Sequence, residues 1–455
     1  MKSVFLIAFL FVSVGASSQS PVIIQRDESI ARMVAQVNPD SLRSYVASMV
    51  SFGTRHTVST QTDNKRGIGA AKKWVLSKFN EFARESGGRL TAIIDSTTYK
   101  ADKRRVDVDI NLGNVVATLK GSDPADNRVF LVTGHLDSRV SDIANRTSDA
   151  PGANDDASGC AAVLECARIM SKSAFPATVI FMTVSGEEQG LLGANYMAQK
   201  AKKLGWNIEA VLNNDIMGSN NSNETNIINN TQLRVFSEGL PAYNLDSVSR
   251  NIRFMGLEND GAPRQLARYF KEITERYVDH LEVKLIYRND RFGRGGDHSP
   301  FVENGFTAVR ITEMNENFDH QHQDLRTEKG REYGDLIKFM DFEYLRKNTA
   351  ANLATLANLA AAPAMPSEVV YVMAGLGNKT TLKWNQPASG KVAGYYILVR
   401  ESSSATWQKK YFTTETTITL PLTKDNYLFA VQSVNATGNE SLPVVPGVAR
   451  RAASR

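Results

Sequence analysis

Between Thr133 and Gly159 the chain reads TGHLDSRVSDIANRTSDAPGANDDASG. His135 and Asp137 follow directly on Val129-Phe130-Leu131-Val132, an apolar run that reads as a buried strand. Open α/β sheets build their sites at the carboxyl ends of strands, and this pair stands at such an end. More acids stand at further strand ends. Asp155 precedes the helical run Cys160–Met170, Glu187 and Glu188 follow the apolar strand Ala177–Val184, and Asp215 follows Glu209–Asn214. His322 lies in the polar segment Glu313–Arg326, beyond a short strand at Ala308–Thr312. Nitrogen and oxygen donors of this kind are the ligand chemistry of a zinc-type cation. Any one of these residues alone is more simply read as a helix cap or a surface group. Gathered on one sheet edge, the acids would repel one another unless cations neutralised them. Two divalent ions would offset Asp155, Glu188 and Asp215 and leave Glu187 to act as a base.

The elements around these residues must alternate to bring them together. Helices are expected at Asp40–Val50, with Asp40 or Ser41 as N-cap, and at Arg66–Glu85, with Trp74, Phe79 and Phe82 on its apolar side. Asn114–Leu119 and Val129–Thr133 read as neighbouring strands. Gln189–Lys203 and Ala262–Asp279 read as helices, Val283–Tyr287 as a strand, Arg291–His298 as a Gly-rich loop and Phe339–Leu359 as a closing helix. This alternation predicts a doubly wound, mostly parallel sheet with helices on both faces. Ala360–Ser367 (AAAPAMPS) breaks the pattern and reads as a linker. Beyond it, short alternating strands (Thr380–Trp384, Gly394–Arg400, Trp407–Phe412, Thr416–Leu420 and Asn426–Val434) predict a small β-sandwich. Its early tryptophan and late Tyr427-Leu428-Phe429-Ala430-Val431 resemble a fibronectin type III module.

Five segments, TGHLDS, PGANDDASG, SGEEQGLLGA, NNDIMG and GGDHSPF, closely resemble metallopeptidase family 28, the bacterial leucyl aminopeptidase type. Their order and spacing agree over roughly Ser41–Leu359. The resemblance implies two zinc ions. His135, Asp155 and Asp215 would hold one, with Asp155 bridging; Glu188 and the last-loop histidine would hold the other. Glu187 would be the general base, and Asp137 would orient His135. The Asp155–Asp156 peptide would be cis. In Asp319-His320-Gln321-His322-Gln323-Asp324 the two histidines alternate, so an extended backbone points them to opposite sides. The family's last ligand precedes a nearby acid, which selects His322 with Asp324 over His320. Family members with a tyrosine before that histidine can use it on the oxyanion; here the position is Gln321, and His298 is the weak substitute. His56 and His280 read as structural or surface groups.

The expected activity is therefore that of a secreted zinc-dependent exopeptidase, an aminopeptidase acting on peptide or protein N-termini. Two other readings compete. A glutaminyl cyclase-like single-zinc aminoacyltransferase shares the double-Glu segment, but GANDDASG and NNDIMG favour the peptidase. A non-catalytic binding protein on the same fold has no need of Glu187.

Composition is consistent with this. A net charge of +5, from 53 basic and 48 acidic residues without long single-sign runs, gives no argument for nucleic acid. Residues 1–18 carry Lys2, an apolar run at Val4–Val14 and small residues from Gly15, which reads as a signal peptide and predicts a secreted or periplasmic protein. No span long enough to cross a membrane is expected. Cys160 and Cys166, six apart on one helix, are expected to remain free thiols. The division is then signal peptide 1–18, zinc peptidase unit 19–362, linker 363–366 and β-sandwich 367–450. The sandwich offers a contact for a protein or polymer, or a support for the larger unit.

Overall fold

The computed structural model describes residues 25–240, 252, 255–373 and 377–448, so the expected signal peptide lies outside the described residues. Eight strands form one sheet: β1 (Leu90–Tyr99), β2 (Ile110–Leu119), β3 (Arg128–His135), β4 (Thr178–Val184), β5 (Asn207–Asn214), β6 (Gln232–Phe236), β7 (Glu282–Ile286) and β8 (Ala308–Glu313). Their order is β1-β2-β4-β3-β5-β8-β6-β7, with the run β4-β3-β5-β8 parallel throughout. Successive residues of the central strands belong to opposite faces. Phe130 and Val132 pack into one core and Leu131 into the other; Val179 and Phe181 alternate with Ile180 and Met182 in the same way. Burial on both faces explains the unbroken apolar runs in the sequence.

The larger core lies under α1 (Glu28–Val34), α2 (Pro39–Val50), α3 (Gly67–Glu85), α4 (Ala157–Met170), α6 (Ala262–Tyr277) and α8 (Phe342–Ala361). On the other face lie α5 (Leu192–Leu204) and the short α7 (His298–Glu303). The doubly wound, mostly parallel sheet is thus observed. Among the described residues no helix is long and apolar enough to cross a membrane. Cys160 and Cys166 are buried free thiols.

Several local expectations are corrected. Asn114–Leu119 and Val129–Thr133 are not neighbours: β4 lies between them, antiparallel to β2 and parallel to β3. The N-cap of α2 is Asn38, whose side chain accepts from the Asp40 and Ser41 N–H groups, with Pro39 in the first turn. Helix α5 starts only at Leu192, because Gly190 and Leu191 have φ of 121° and 60°. The expectations omitted β1 and β6. Five of the ten side chains in LTAIIDSTTY are polar, so its alternation carries little apolar signal, and β6 is only five residues long.

The C-terminal strands are β11 (Ser367–Tyr371), β12 (Thr380–Asn385), β13 (Gly394–Glu401), β14 (Lys409–Thr413), β15 (Thr417–Leu420), β16 (Tyr427–Val434) and β17 (Gly447–Val448); the hairpin β9 (Arg326–Glu328) and β10 (Arg331–Tyr333) precedes them. They make two sheets, β15-β12-β11-β17 and β14-β13-β16. Leu382, Trp384, Tyr395, Ile397, Phe429 and Val431 fill one core between these sheets. The expected linker is not an open tether. Ala362 and Ala364 are buried, and Arg128 donates to the carbonyls of Ala362 and Pro363 at 2.7 and 3.1 Å.

Candidate metal centre

The parallel register brings the strand ends to one edge. His135 at the end of β3 lies beside Val184, so the Ser185–Glu188 turn follows on one side; on the other, β5 delivers Asp215. Close packing of β3 on α4 brings Asp155 in. Gly134 and Gly159 permit it: a Cβ on Gly134 would lie 2.5 Å from the Gly159 carbonyl carbon, and one on Gly159 would lie 2.4 Å from the Asp156 carboxylate.

The seven residues selected from sequence meet here, with one change of role. His135 Nε2 lies 3.0 Å from Asp155 Oδ1 and 3.9 Å from Asp215 Oδ1. His322 Nε2 lies 2.8 Å from both Asp155 Oδ2 and Glu188 Oε1. Two donor groups result, His135–Asp155–Asp215 and Asp155–Glu188–His322, each with ligand atoms within 4.8 Å of one another. Asp155 belongs to both and offers one oxygen to each. His320 is turned away and stacks on Phe339, ring centroids 3.6 Å apart. The Asp155–Asp156 peptide is cis. Glu187 follows Gly186, whose φ of 81° turns the chain, and stands outside both donor groups.

Asp137 does not orient His135 through its carboxylate, which is 3.9 Å from Nδ1; the Asp137 carbonyl is nearer, at 3.1 Å. The carboxylate instead accepts the N–H groups of Gly186, Glu187 and Glu188 at 2.8, 3.2 and 3.0 Å, and so shapes the double-Glu turn. Two acids not selected beforehand work similarly. Asp156 accepts from the N–H groups of His135, Gly159 and Ile216 at 2.9, 2.9 and 3.2 Å. Asp335 accepts from Asn154 and Asp155 at 2.8 and 2.7 Å. The fully buried Arg55 supplies the converse, donating to the carbonyls of Leu136, Pro151 and Gly152 at 2.6–2.8 Å. Asp156 sits inside PGANDDASG; Asp335 and Arg55 carry no sequence signal.

Burial and crowding set the ionisation. Desolvation raises Glu187 well above the usual carboxyl range, and Glu188 and Asp215 add to this against the pull of His135. Burial pushes Asp297 up to about 8, with Asp137 and Asp215 adding; neither of its oxygens has a hydrogen-bond partner among the described residues. Asp155 is held well below the usual range because His322 and His135 outweigh its burial. Asp215 is low as well, since Arg310, 3.0 Å away, outweighs burial. Burial opposes a charge on His322, but Glu188 and Asp155 overcome it and raise the ring.

Gln321 donates to Asp155 Oδ2 at 3.2 Å, while its Oε1 is buried without a partner. His298 is spoken for, with Nε2 2.7 Å from the Asn289 carbonyl, and is no substitute for the missing tyrosine. His56 is buried between the Ile143 carbonyl and the Gln189 amide, a structural position. His280 is exposed. A pocket of about 340 Å³ opens beside Asp155, with apolar walls from Ile216, Leu336, Phe339 and Met340. Nitrogen and carboxylate donors in two groups that share a carboxylate fit a pair of zinc-type ions.

The fold is that of zinc aminopeptidases. LapB of Legionella pneumophila superposes with a TM-score of 0.53 at 17% identity, over 75% of this chain and 78% of its own. The LapA aminopeptidase of the same organism gives 0.52 at 18% identity, over 79% and 80%. The pattern of Peptidase family M28 matches residues 114–331, a span that holds every selected site residue. A probable zinc metalloprotease of Leptosphaeria maculans is 43% identical over 421 residues, 92% of this chain and 97% of that protein. One of Pyricularia oryzae is 40% identical over 92% of this chain and 84% of its own length. The chain belongs to peptidase family M28, hydrolases that act on peptides. A match over 92% of the chain cannot be contained in residues 19–362, so the likeness runs on into the C-terminal strands.

Proposed function

We propose that this chain is a secreted zinc exopeptidase, an aminopeptidase that cleaves the N-terminal peptide bond of peptides and proteins. His135, Asp155 and Asp215 would hold one zinc ion, and Asp155, Glu188 and His322 a second. The observation that carries the reading is the divided use of Asp155, one oxygen toward each histidine. The description of the curated relatives as probable zinc metalloproteases supports zinc as the ion.

Bound ions would supply Lewis acidity, acidifying a water and polarising the scissile carbonyl. Glu187 stands free of both donor groups, takes the water's proton and delivers it to the leaving amine. Its raised pKa suits a group that must both gain and lose a proton. Asp137 keeps Glu187 and Glu188 in their separate roles by holding their backbone N–H groups. The pocket beside Asp155 takes the side chain of the N-terminal residue, and the acids left over after two cations suit its ammonium group. Export follows from the signal at residues 1–18. Residues 367–450 form a fibronectin type III-like sandwich that supports the peptidase unit, residues 19–362, through the 363–366 connector.

A panel of aminoacyl amides, with free and acetylated N-termini, tests this reading. The expected result is release of free amino acid from the free forms, lost on acetylation and on chelation. Equal hydrolysis of the acetylated forms would exclude an aminopeptidase, and full activity after complete metal removal would exclude the zinc mechanism.

A further inference from the structure

The two donor groups are wired differently at their histidines. His135 Nδ1 faces the Asp137 carbonyl at 3.1 Å. A carbonyl only accepts, so Nδ1 carries the ring's proton and Nε2 keeps a lone pair for a cation, the usual arrangement of a metal-binding histidine. His322 Nδ1 instead faces Arg139 Nη2 at 2.6 Å. A guanidinium only donates, so here Nδ1 gives the lone pair and the proton sits on Nε2. That proton points at Asp155 Oδ2 and Glu188 Oε1, into the space between the ligand atoms. Arg139 also donates from Nε to Glu188 Oε2 at 2.8 Å, and so places a fixed positive charge on a second member of the same group. Its remaining nitrogen, Nη1, is held only at 3.3 and 3.4 Å, by the Val140 and Ser141 carbonyls. The side chain is 19% exposed, with solvent to turn into. The other group carries an arginine too, Arg310 on Asp215, but none on its histidine.

We propose that Arg139 is a positioning residue that makes the two candidate metal positions unequal. The Asp155–Glu188–His322 position can accept a zinc-type ion only when Arg139 leaves His322 Nδ1 and the ring's proton moves there from Nε2. It therefore fills second and more weakly than His135–Asp155–Asp215. The proposal rests on the two-zinc reading above.

The test is titration of the zinc-stripped mature protein with zinc alone, by calorimetry and by competition against a chelator. The expected wild-type result is two unequal constants. Arg139→Gln tightens the weaker one on the order of 10–100-fold, the range that partners of metal-binding histidines command, and leaves the tighter one unchanged. Arg139→Lys keeps the charge but cannot hold Glu188 and His322 together, so it tightens the weaker constant less than Gln does. A readout without any variant is the ¹⁵N signature of the His322 ring, expected to change from a protonated Nε2 to a protonated Nδ1 as the second equivalent binds. Two equal constants in the wild type, an unchanged weaker constant in both variants, or a His322 ring with Nδ1 already protonated in the zinc-free protein would overturn this inference alone. Absence of zinc binding in every form would overturn the zinc reading and this inference with it.

Discussion

Acids are buried in two regions of this molecule, and their partners differ. Where the C-terminal sandwich meets the larger unit, Glu440 accepts from both Arg276 nitrogens at 2.9 and 2.5 Å and from Asn358 at 3.3 Å. Asp260 is clasped by Arg268 and Arg400 at 2.9 and 2.6 Å, one from each side of the junction. Each acid there is matched by at least one guanidinium. At the candidate metal centre Asp137, Asp155, Asp156, Glu187, Glu188, Asp215 and Asp297 crowd together, and Arg139 and Arg310 reach only two of them. Buried charge without partners costs several kcal/mol per ion, so such an excess persists only where something else balances it. Complete pairing thus marks a structural junction, and an acid surplus marks a place built for cations.

The largest effect that would test this contrast is on turnover. Glu187→Gln removes a base but no ligand, so it should retain both zinc ions and lose on the order of 10²–10⁴-fold in kcat. Metal analysis beside kinetics checks it, and lost metal would mean that Glu187 belongs with the ligands. Next comes the junction. Glu440→Ala leaves Arg276 buried against nothing, and breaking such a pair costs about 3–5 kcal/mol in unfolding free energy. Truncation after Pro366 should likewise destabilise the peptidase unit, because Arg128, Arg268 and Arg276 all lose partners across the junction. An equally stable truncated protein would make the sandwich an appendage.

A smaller effect is expected from Asp335→Asn, which keeps the shape but weakens the hold on the Asn154 and Asp155 N–H groups. Zinc affinity should fall on the order of 10-fold, the low end for groups that support metal ligands. The smallest is a pH effect. Burial pushes Glu440 up, but Arg276 and Lys410 outweigh it and hold the carboxyl below its ordinary value. A depressed carboxyl stabilises the fold above the unfolded pKa, about 4.3, and that contribution fades as pH falls through the folded value. The stability gap between wild type and Glu440→Gln should therefore be full at pH 6 and close below about pH 4. A gap that widened in acid would reverse the assignment.

What was legible in the sequence follows the same physics. Strands buried on both faces announce themselves as apolar runs, so β3, β4 and β5 and the residues at their ends were visible. His322 could be preferred over His320 from alternation and a neighbouring acid. Strand order was not legible, because β4 inserts between β2 and β3 through long-range pairing. Nor were Asp335, Arg55 and Arg139, whose work depends on which backbone loops come within their reach. Asp137 was visible as a residue but misjudged in role: nothing in HLDS says that its carboxylate turns toward the double-Glu segment rather than the histidine. The sandwich was legible as strands, while the ion pairs that bind it to the larger unit join residues more than a hundred positions apart.

One carboxylate, that of Asp156, holds the amides of His135, Gly159 and Ile216 at once. In hydrogen exchange these three amides, from three separate stretches of chain, should open as a single unit, since any fluctuation that releases the shared acceptor exposes them all. The end of β3, the start of α4 and the exit of β5 then have no independent local unfolding. The cluster is either assembled or absent, whichever side chains it presents.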